Sequence, residues 1–217
     1  MPRTYGDPVI HISKIAAVCR GDEPLIEVPT PIPSEIDTKI GNFIANEIPD
    51  GATLQIGVGG IPNAVINALG NHQHLGLHTE AITDGVLPLI QKGIIDNSLK
   101  KIYPGKSVGS LVLGSKHLYD YMDRNPEFVI RDVAYTNDPQ IIRQNPKAMA
   151  INSAVEVDLT GQICADSIGE TIISGVGGQH DFMYGAALSE GGKCFIALPS
   201  MTSKGQSKIV ANLAPGA

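Results

Sequence analysis

Thr53-Leu54-Gln55-Ile56 is a short apolar strand that runs directly into Gly57-Val58-Gly59-Gly60, and Ile61-Pro62 then opens a helix through Ala64, Val65, Ile66 and Leu69. Strand, glycine loop and helix in immediate succession constrain the fold more than anything else in the chain. The unit belongs to α/β sheets, where such a loop sits at the helix amino end and commonly meets an anion or nucleotide. It is also compatible with a plain strand-to-helix turn. The spacing is not the dinucleotide fingerprint, because no third glycine stands in place. No acidic residue closes a following strand either, unless Glu80 is pressed into that role. No Gly-Lys-Ser/Thr follows, so it is not a phosphate-binding P-loop.

The same alternation continues along the chain. Ser34 is an N-cap with Glu35 and Asp37 in the first turn, and Ile36, Ile40, Phe43, Ile44 and Ile48 recur at helical spacing, so they are expected to face the core. Pro49-Asp50-Gly51 ends that helix. Val108 to Leu113 reads as one apolar strand, and Lys116 to Arg124 as a helix with Leu118, Tyr119 and Met122 on one face. Phe128 to Ile130 reads as a strand, and Asp138-Pro139 as a cap with proline at the first helical position. Ala148 to Ile151 is a strand. Val155 to Leu159 alternates apolar and acidic, and Thr160-Gly161 turns it into Gln162 to Ala165, an antiparallel hairpin with Glu156 and Asp158 on its solvated face. Ser174-Gly175-Val176-Gly177-Gly178 is a second glycine loop opening a helix, and Lys193 to Leu198 and Ser207 to Val210 are late strands. The fold class is α/β: a mostly parallel open sheet flanked by helices, with one antiparallel hairpin. Before Ser34, Val9 to Ile12 and Ile15 to Val18 read as short strands, followed by the breakers Pro24, Pro29, Pro31 and Pro33. Residues 1–33 read as a linker and 34–217 as the domain.

Leu77-His78-Thr79-Glu80 ends a buried strand, and Thr83 or Asp84 caps a helix from about Asp84 to Lys92. Glu80 therefore lies near a strand's carboxyl end, where open α/β sheets keep their ligands. It could be a solvated loop residue, a general base or a nucleophile that forms an acyl intermediate. His78 could orient its neighbour.

A net charge of -6 without a basic stripe argues against a nucleic-acid partner. No apolar run approaches the ~20 residues of a membrane helix, and Met1 to Pro8 lacks a signal peptide's apolar core. Cys19, Cys164 and Cys194 form neither a metal pattern nor a disulfide framework, which fits a reducing, cytoplasmic setting.

Several motifs, in order, resemble the acetyl-CoA hydrolase/transferase family, its 4-hydroxybutyrate CoA-transferase branch in particular. They are Gly57 to Val65, His78-Thr79-Glu80 with Asp84-Gly85-Val86, Leu113-Gly114, Leu118-Tyr119-Asp120, Asn152-Ser153-Ala154 with Glu156 to Gln162, Ser174 to Gln179 with Asp181-Phe182, and Ala197 to Ser200. The resemblance covers about Ser34 to Ala217. It implies a parallel-sheet α/β fold and transfer of coenzyme A between a short acyl-CoA (acetyl-, butyryl- or 4-hydroxybutyryl-CoA) and a carboxylic acid such as acetate. Glu80 would be the nucleophile that becomes a glutamyl-CoA thioester. Gly57, Val58, Gly59, Gly60, Ile61, Val155, Gly177 and Gly178 would line coenzyme A or donate to the oxyanion, since glycine lets backbone approach closely. Coenzyme A is a substrate there, no cofactor is held permanently and no metal is required. Lys204 and Lys208 could meet its phosphates or only water, and Gln179, His180 and Asp181 could be helix-start residues only. Hydrolysis of the acyl-CoA is the alternative reaction. Complete family members carry a further, similar α/β domain, so the resemblance also implies the catalytic half of a longer protein, which alone could be an inactive coenzyme A-binding fragment. The surface that would pack on that further domain is expected to be apolar and prone to self-association, so a homo-oligomer is expected, without membrane or nucleic-acid partners.

Overall fold

Ser34 starts the first long helix by a reciprocal cap. Its hydroxyl accepts from the Asp37 amide, and the Asp37 carboxylate accepts from the Ser34 amide at 2.9 Å. A computed structural model describes residues 1–216. In it α1 spans Glu35–Asn46, after a two-residue strand β1 at Tyr5–Gly6. The buried stripe of α1 is not the one expected from the large apolar residues. Gly41, Ile44 and Ala45 are buried with Ile48 just beyond, while Ile36 and Phe43 are 56% and 74% exposed. The small residues decide this. A Cβ on Gly41 would stand 2.7 Å from the Ala64 Cβ, so α1 crosses the next helix at a contact only glycine permits.

That next helix is α2, Gly60–Ala68, which follows β2, Thr53–Ile56, through the first glycine loop. Then come β3 at Gly76–Leu77 and β4 at Ala81–Thr83, a 3-10 turn over Asp84–Val86, and α3 at Leu87–Gln91. The expected helix from Asp84 is present, but a short strand precedes it. The expected strand Val108 to Leu113 is two strands, β5 at Ser107–Gly109 and β6 at Leu111–Leu113, split at Ser110. The amides of Ser110 and Leu111 both donate to the Glu80 carbonyl at 2.9 Å, two residues against one, which is a bulge. The chain continues through α4 (Lys116–Met122), β7 (Phe128–Ile130), α5 (Val133–Thr136), α6 (Pro139–Ile142) and β8 (Ala148–Ser153). It ends with β9 (Glu156–Asp158), β10 (Ile163–Cys164), β11 (Ser167–Ile168), β12 (Thr171–Ile172), α7 (Gln179–Leu188), β13 (Lys193–Ala197) and β14 (Ile209–Val210).

Two all-parallel sheets, β13-β8-β2-β3 and β1-β7-β5, meet along β3 and β5, where one parallel bridge, His78 to Val108, joins them. Below that bridge the ladder is replaced by side chains. Asn97 accepts from the Leu77 amide at 2.8 Å and donates to Ser107 Oγ at 3.1 Å, and Lys100 Nζ donates to the carbonyls of Leu77 and Lys106 at 2.8 and 2.6 Å. Above it, β4 pairs with β6. The hairpin β9–β10 is antiparallel as expected, with β14 added parallel to β9.

The main core lies on the face covered by α1 and α2, with Leu54, Ile56, Leu77, Met149 and Ile151 at its centre. The opposite face is thinner. There Phe182 and Ala186 of α7 and Ile142 of α6 cover Ala148 and Ala150. The alternation of β2 sends Leu54 and Ile56 to the first core and Thr53 and Gln55 to the second face.

Two further expectations fail. Val9 to Ile12 and Ile15 to Val18 form no strands: the proline-rich stretch to residue 33 lies over the surface, and only Tyr5–Gly6 joins the sheet, beside β7. Asp158 is not on a solvated face. It is 5% exposed, and the Thr160 hydroxyl at 2.7 Å, then the Gln162 amide and side chain at 3.0 and 2.7 Å and the Thr160 amide at 2.9 Å, donate to it and hold its carboxyl far below the usual range against the opposing pull of burial.

Candidate active site

Glu80 follows β3 after a two-residue segment whose side chains are locked from below. The His78 amide donates to Leu54 O at 3.0 Å, and Thr79 Oγ1 both donates to Ile56 O and accepts from the Ile56 amide at 3.2 and 3.3 Å. His78 and Thr79 are 2% and 1% exposed, whereas Glu80 emerges half-buried at the carboxyl edge. The Asn137 side-chain amide, at the end of α5, donates to Glu80 Oε2 at 2.6 Å. Gly178, the N-cap of α7, packs against both. A Cβ there would lie 2.5 Å from Asn137 Nδ2 and closer still to Glu80 Oε2, so any side chain here would displace the Asn137–Glu80 pair although the φ of -85° is ordinary. Gly177 has φ +61°, the left-handed turn that brings the loop into α7.

The result is an open cleft of about 520 Å³ lined by Glu80, Val133, Asn137, Gly177, Gly178 and Asp181 among others. Gly177 and Gly178 line the cleft, and the amino end of the ten-residue α7 begins beside the carboxylate, where its dipole favours negative charge.

The first glycine loop is not part of this cleft. It stands at the edge between β2 and β8, where the Gly57 amide donates to Ile151 O at 3.2 Å. The strands after β2 are added on one side of it and β8 and β13 on the other, so this is the switch point of the sheet, the usual ligand crevice. Gly59 has φ +140° and is the N-cap of α2. Val58 is 53% exposed and the Ile61 side chain is buried, so only its backbone borders the crevice. Val155 is nearby, after β8, with its amide donating to Cys164 O. Gln179 Nε2 reaches Ser153 O at 3.5 Å and Lys208 Nζ reaches Ala154 O at 3.4 Å, so α7 and Lys208 join the same edge. Lys204 is exposed, and His180 stacks on Tyr184 beyond the cleft. Among the described residues no cluster of three or more His, Cys, Asp or Glu side chains could hold a metal, and no helix is long and apolar enough to cross a membrane.

Sequence reasoning missed Asn137. An asparagine after a short helix reads as a plain C-terminus, and nothing local connects it to a carboxylate 57 residues earlier. His78 is a buried neutral imidazole. Burial, and then the charge of Lys100, push its pKa down to about 4, against the pull of the Thr136 carbonyl. Its Nε2 donates to Thr136 O at 2.8 Å, next to Asn137. Lys100 is itself pushed down to about 7 by burial.

A profile of the acetyl-CoA hydrolase/transferase C-terminal domain matches residues 114–217. Over its whole length the chain is 49% identical to a succinyl-CoA:acetate/propanoyl-CoA:succinate CoA transferase of Fasciola hepatica and 47% identical to a 4-hydroxybutyrate coenzyme A transferase of Clostridium kluyveri. The chain belongs to the acetyl-CoA hydrolase/transferase family. It spans about half the length of these relatives, 46% and 51%. The crystal structure of a 4-hydroxybutyrate CoA-transferase from Porphyromonas gingivalis superposes with a TM-score of 0.88 at 43% identity, covering all of this chain and 52% of that one. The acetyl-CoA hydrolase/transferase fold thus has the mixed α/β architecture, largely parallel and flanked by helices, that the alternation of the sequence implies.

Proposed function

We propose that this chain supplies the nucleophile for coenzyme A transfer between a short-chain acyl-CoA and a carboxylic acid. The observation that carries the proposal is the Glu80 carboxylate in its cleft, held on one oxygen by Asn137 and faced by the amino end of α7. The free oxygen attacks the thioester carbonyl and expels coenzyme A as thiolate, leaving a mixed anhydride with Glu80. The thiolate then attacks the glutamyl carbonyl, the first acid departs as carboxylate, and Glu80 is left as a coenzyme A thioester. An acceptor carboxylate reverses the sequence. Each addition builds an oxyanion, for which the backbone amides at Gly177 and Gly178 are the proposed donors. The crevice between β2 and β8, with Gly57 to Ile61 and the Val155 backbone, takes the rest of coenzyme A.

Family membership supports this reading, as do the names of relatives that act on succinyl-CoA with acetate or on 4-hydroxybutyrate. The test is incubation with acetyl-CoA or butyryl-CoA, borohydride trapping and peptide mass spectrometry. A modified peptide containing Glu80 is expected; no adduct, or one elsewhere, refutes the assignment. The openness of the cleft favours a second reading, hydrolysis, in which water resolves the intermediate. Turnover that requires added acetate separates transfer from hydrolysis. The chain is assigned to the cytoplasm, consistent with three unpaired cysteines, and to a homo-oligomer, consistent with exposed apolar residues such as Ile168, Ile172 and Val176.

A further inference from the structure

Behind Glu80, on the thin face of the sheet, lies a cavity of about 10 Å³, room for one water molecule. Every residue lining it is buried. Three of them, Thr53, His78 and Asn145, are 3%, 2% and 0% exposed, and each has one polar atom that no protein group pairs: Thr53 Oγ1, His78 Nδ1 and Asn145 Nδ2. The remaining polar atoms of these side chains are engaged. His78 Nε2 donates to Thr136 O, and Asn145 Oδ1 accepts from the amides of Lys101 and Ile102 at 3.1 and 3.0 Å. A carbonyl only accepts, so the imidazole proton sits on Nε2 and Nδ1 is a bare acceptor. Asn145 Nδ2 is a donor, and a hydroxyl is either. Three unpaired buried groups around one small cavity are costly, and their mixed polarity suits a single molecule that both donates and accepts.

We propose that this cavity is a structural water site in which one water accepts from Asn145 Nδ2, donates to His78 Nδ1 and pairs with Thr53 Oγ1, and that the water makes His78 a positioning residue for Glu80. Two adjacent rungs join the segments concerned. His78 holds Thr136, and Asn137, the next residue, holds Glu80, two residues beyond His78. The water closes the far side of the imidazole, so the ring cannot rotate and release Thr136. The second half of the proposal rests on Glu80 being the reactive carboxylate; the first does not.

Three measurements on the protein test this. A high-resolution crystal structure should show one water within about 3.2 Å of all three atoms, and nitrogen-15 spectra should show His78 Nδ1 unprotonated and hydrogen-bonded. An empty cavity overturns the site. Thr53→Val keeps the shape of a residue whose hydroxyl has no other partner. If the water is bound, the variant strands it and melts roughly 2–4 °C lower. If the hydroxyl is simply unsatisfied, removing it raises the melting temperature, and the proposal fails. Positioning is read in the crystal structure of the same variant, where the Asn137–Glu80 hydrogen bond should lengthen beyond 3.5 Å; an unchanged pair at 2.6 Å refutes it. In an active preparation, kcat should fall roughly tenfold with KM unchanged. Absence of a trapped adduct on Glu80 in the unmutated protein overturns the transfer reading alone, because the density, the spectra and the melting temperature still decide the water.

Discussion

Glu80 is held by one side-chain donor and one glycine, and each contact makes a separate prediction. Asn137→Ala removes the donor to Oε2, a hydrogen bond to a charged group, and should slow formation of the glutamyl thioester roughly 10- to 100-fold. Asn137 is half-buried, so the melting temperature should change little. Rapid-mix trapping of the adduct measures this, and an unaltered rate would mean that Asn137 only ends α5. Gly178→Val puts a branched side chain where Glu80 and Asn137 already stand. The cleft is open, so the displaced groups can swing outward. Activity should therefore drop far more than stability. A variant that loses melting temperature but keeps turnover would make the loop a structural turn.

Between elements, the weak line is the seam of β3 and β5, where one bridge and the side chains of Asn97 and Lys100 replace a ladder. Lys100→Met would leave the Leu77 and Lys106 carbonyls without their donor and should cost roughly 2 kcal/mol, measured by chemical denaturation. The buried His78 beside this seam sets an acid limb. Its folded pKa of about 4 lies below its ordinary value of 6.5, so between these values the unfolded chain binds a proton that the folded chain refuses. Stability from this group is thus flat above pH 6.5 and falls as the pH drops toward 4, by roughly 3 kcal/mol. Denaturation across this range should show the loss, and His78→Leu should flatten it. Lys100 acts in the opposite pH region. With a folded pKa of about 7 against 10.5, it makes stability rise from neutral to alkaline pH.

At the scale of the molecule, the cleft is open to solvent. Glu80 is half-buried beside about 520 Å³ of open space, and the nucleophilic role proposed for its carboxylate depends on water being excluded from it. The relatives are about twice as long as this chain, and sites of this kind are commonly closed between domains. The 217-residue chain alone should therefore show little transfer turnover. It should also self-associate, because Ile168, Ile172, Ile173 and Val176 are 52–78% exposed along the β11–β12 hairpin and the second glycine loop. Light scattering and a coenzyme A-transfer assay on the same sample check both; a fully active monomer would contradict both.

Local chemistry in the sequence was enough to determine the alternating α/β architecture, the Ser34 cap, the Thr160-Gly161 hairpin and the two glycine loops, because caps, turns and apolar runs act within a few residues. It also placed Glu80 at a strand's carboxyl end and raised Gly177 and Gly178 as its neighbours through family motifs, and the cleft does bring those three together. What it left open depends on pairs distant in the chain. The exposed Phe43, the buried Asp158 and the split of one apolar run at Ser110 follow from packing partners that periodicity does not contain. The separation of the first glycine loop from the Glu80 cleft follows from strand order, and Asn137 reaches Glu80 only because α5 returns to the end of β3. Composition says that a histidine is present; only the fold, by closing hydrophobic and amide groups around it, decides that His78 is neutral and fixed behind the carboxylate.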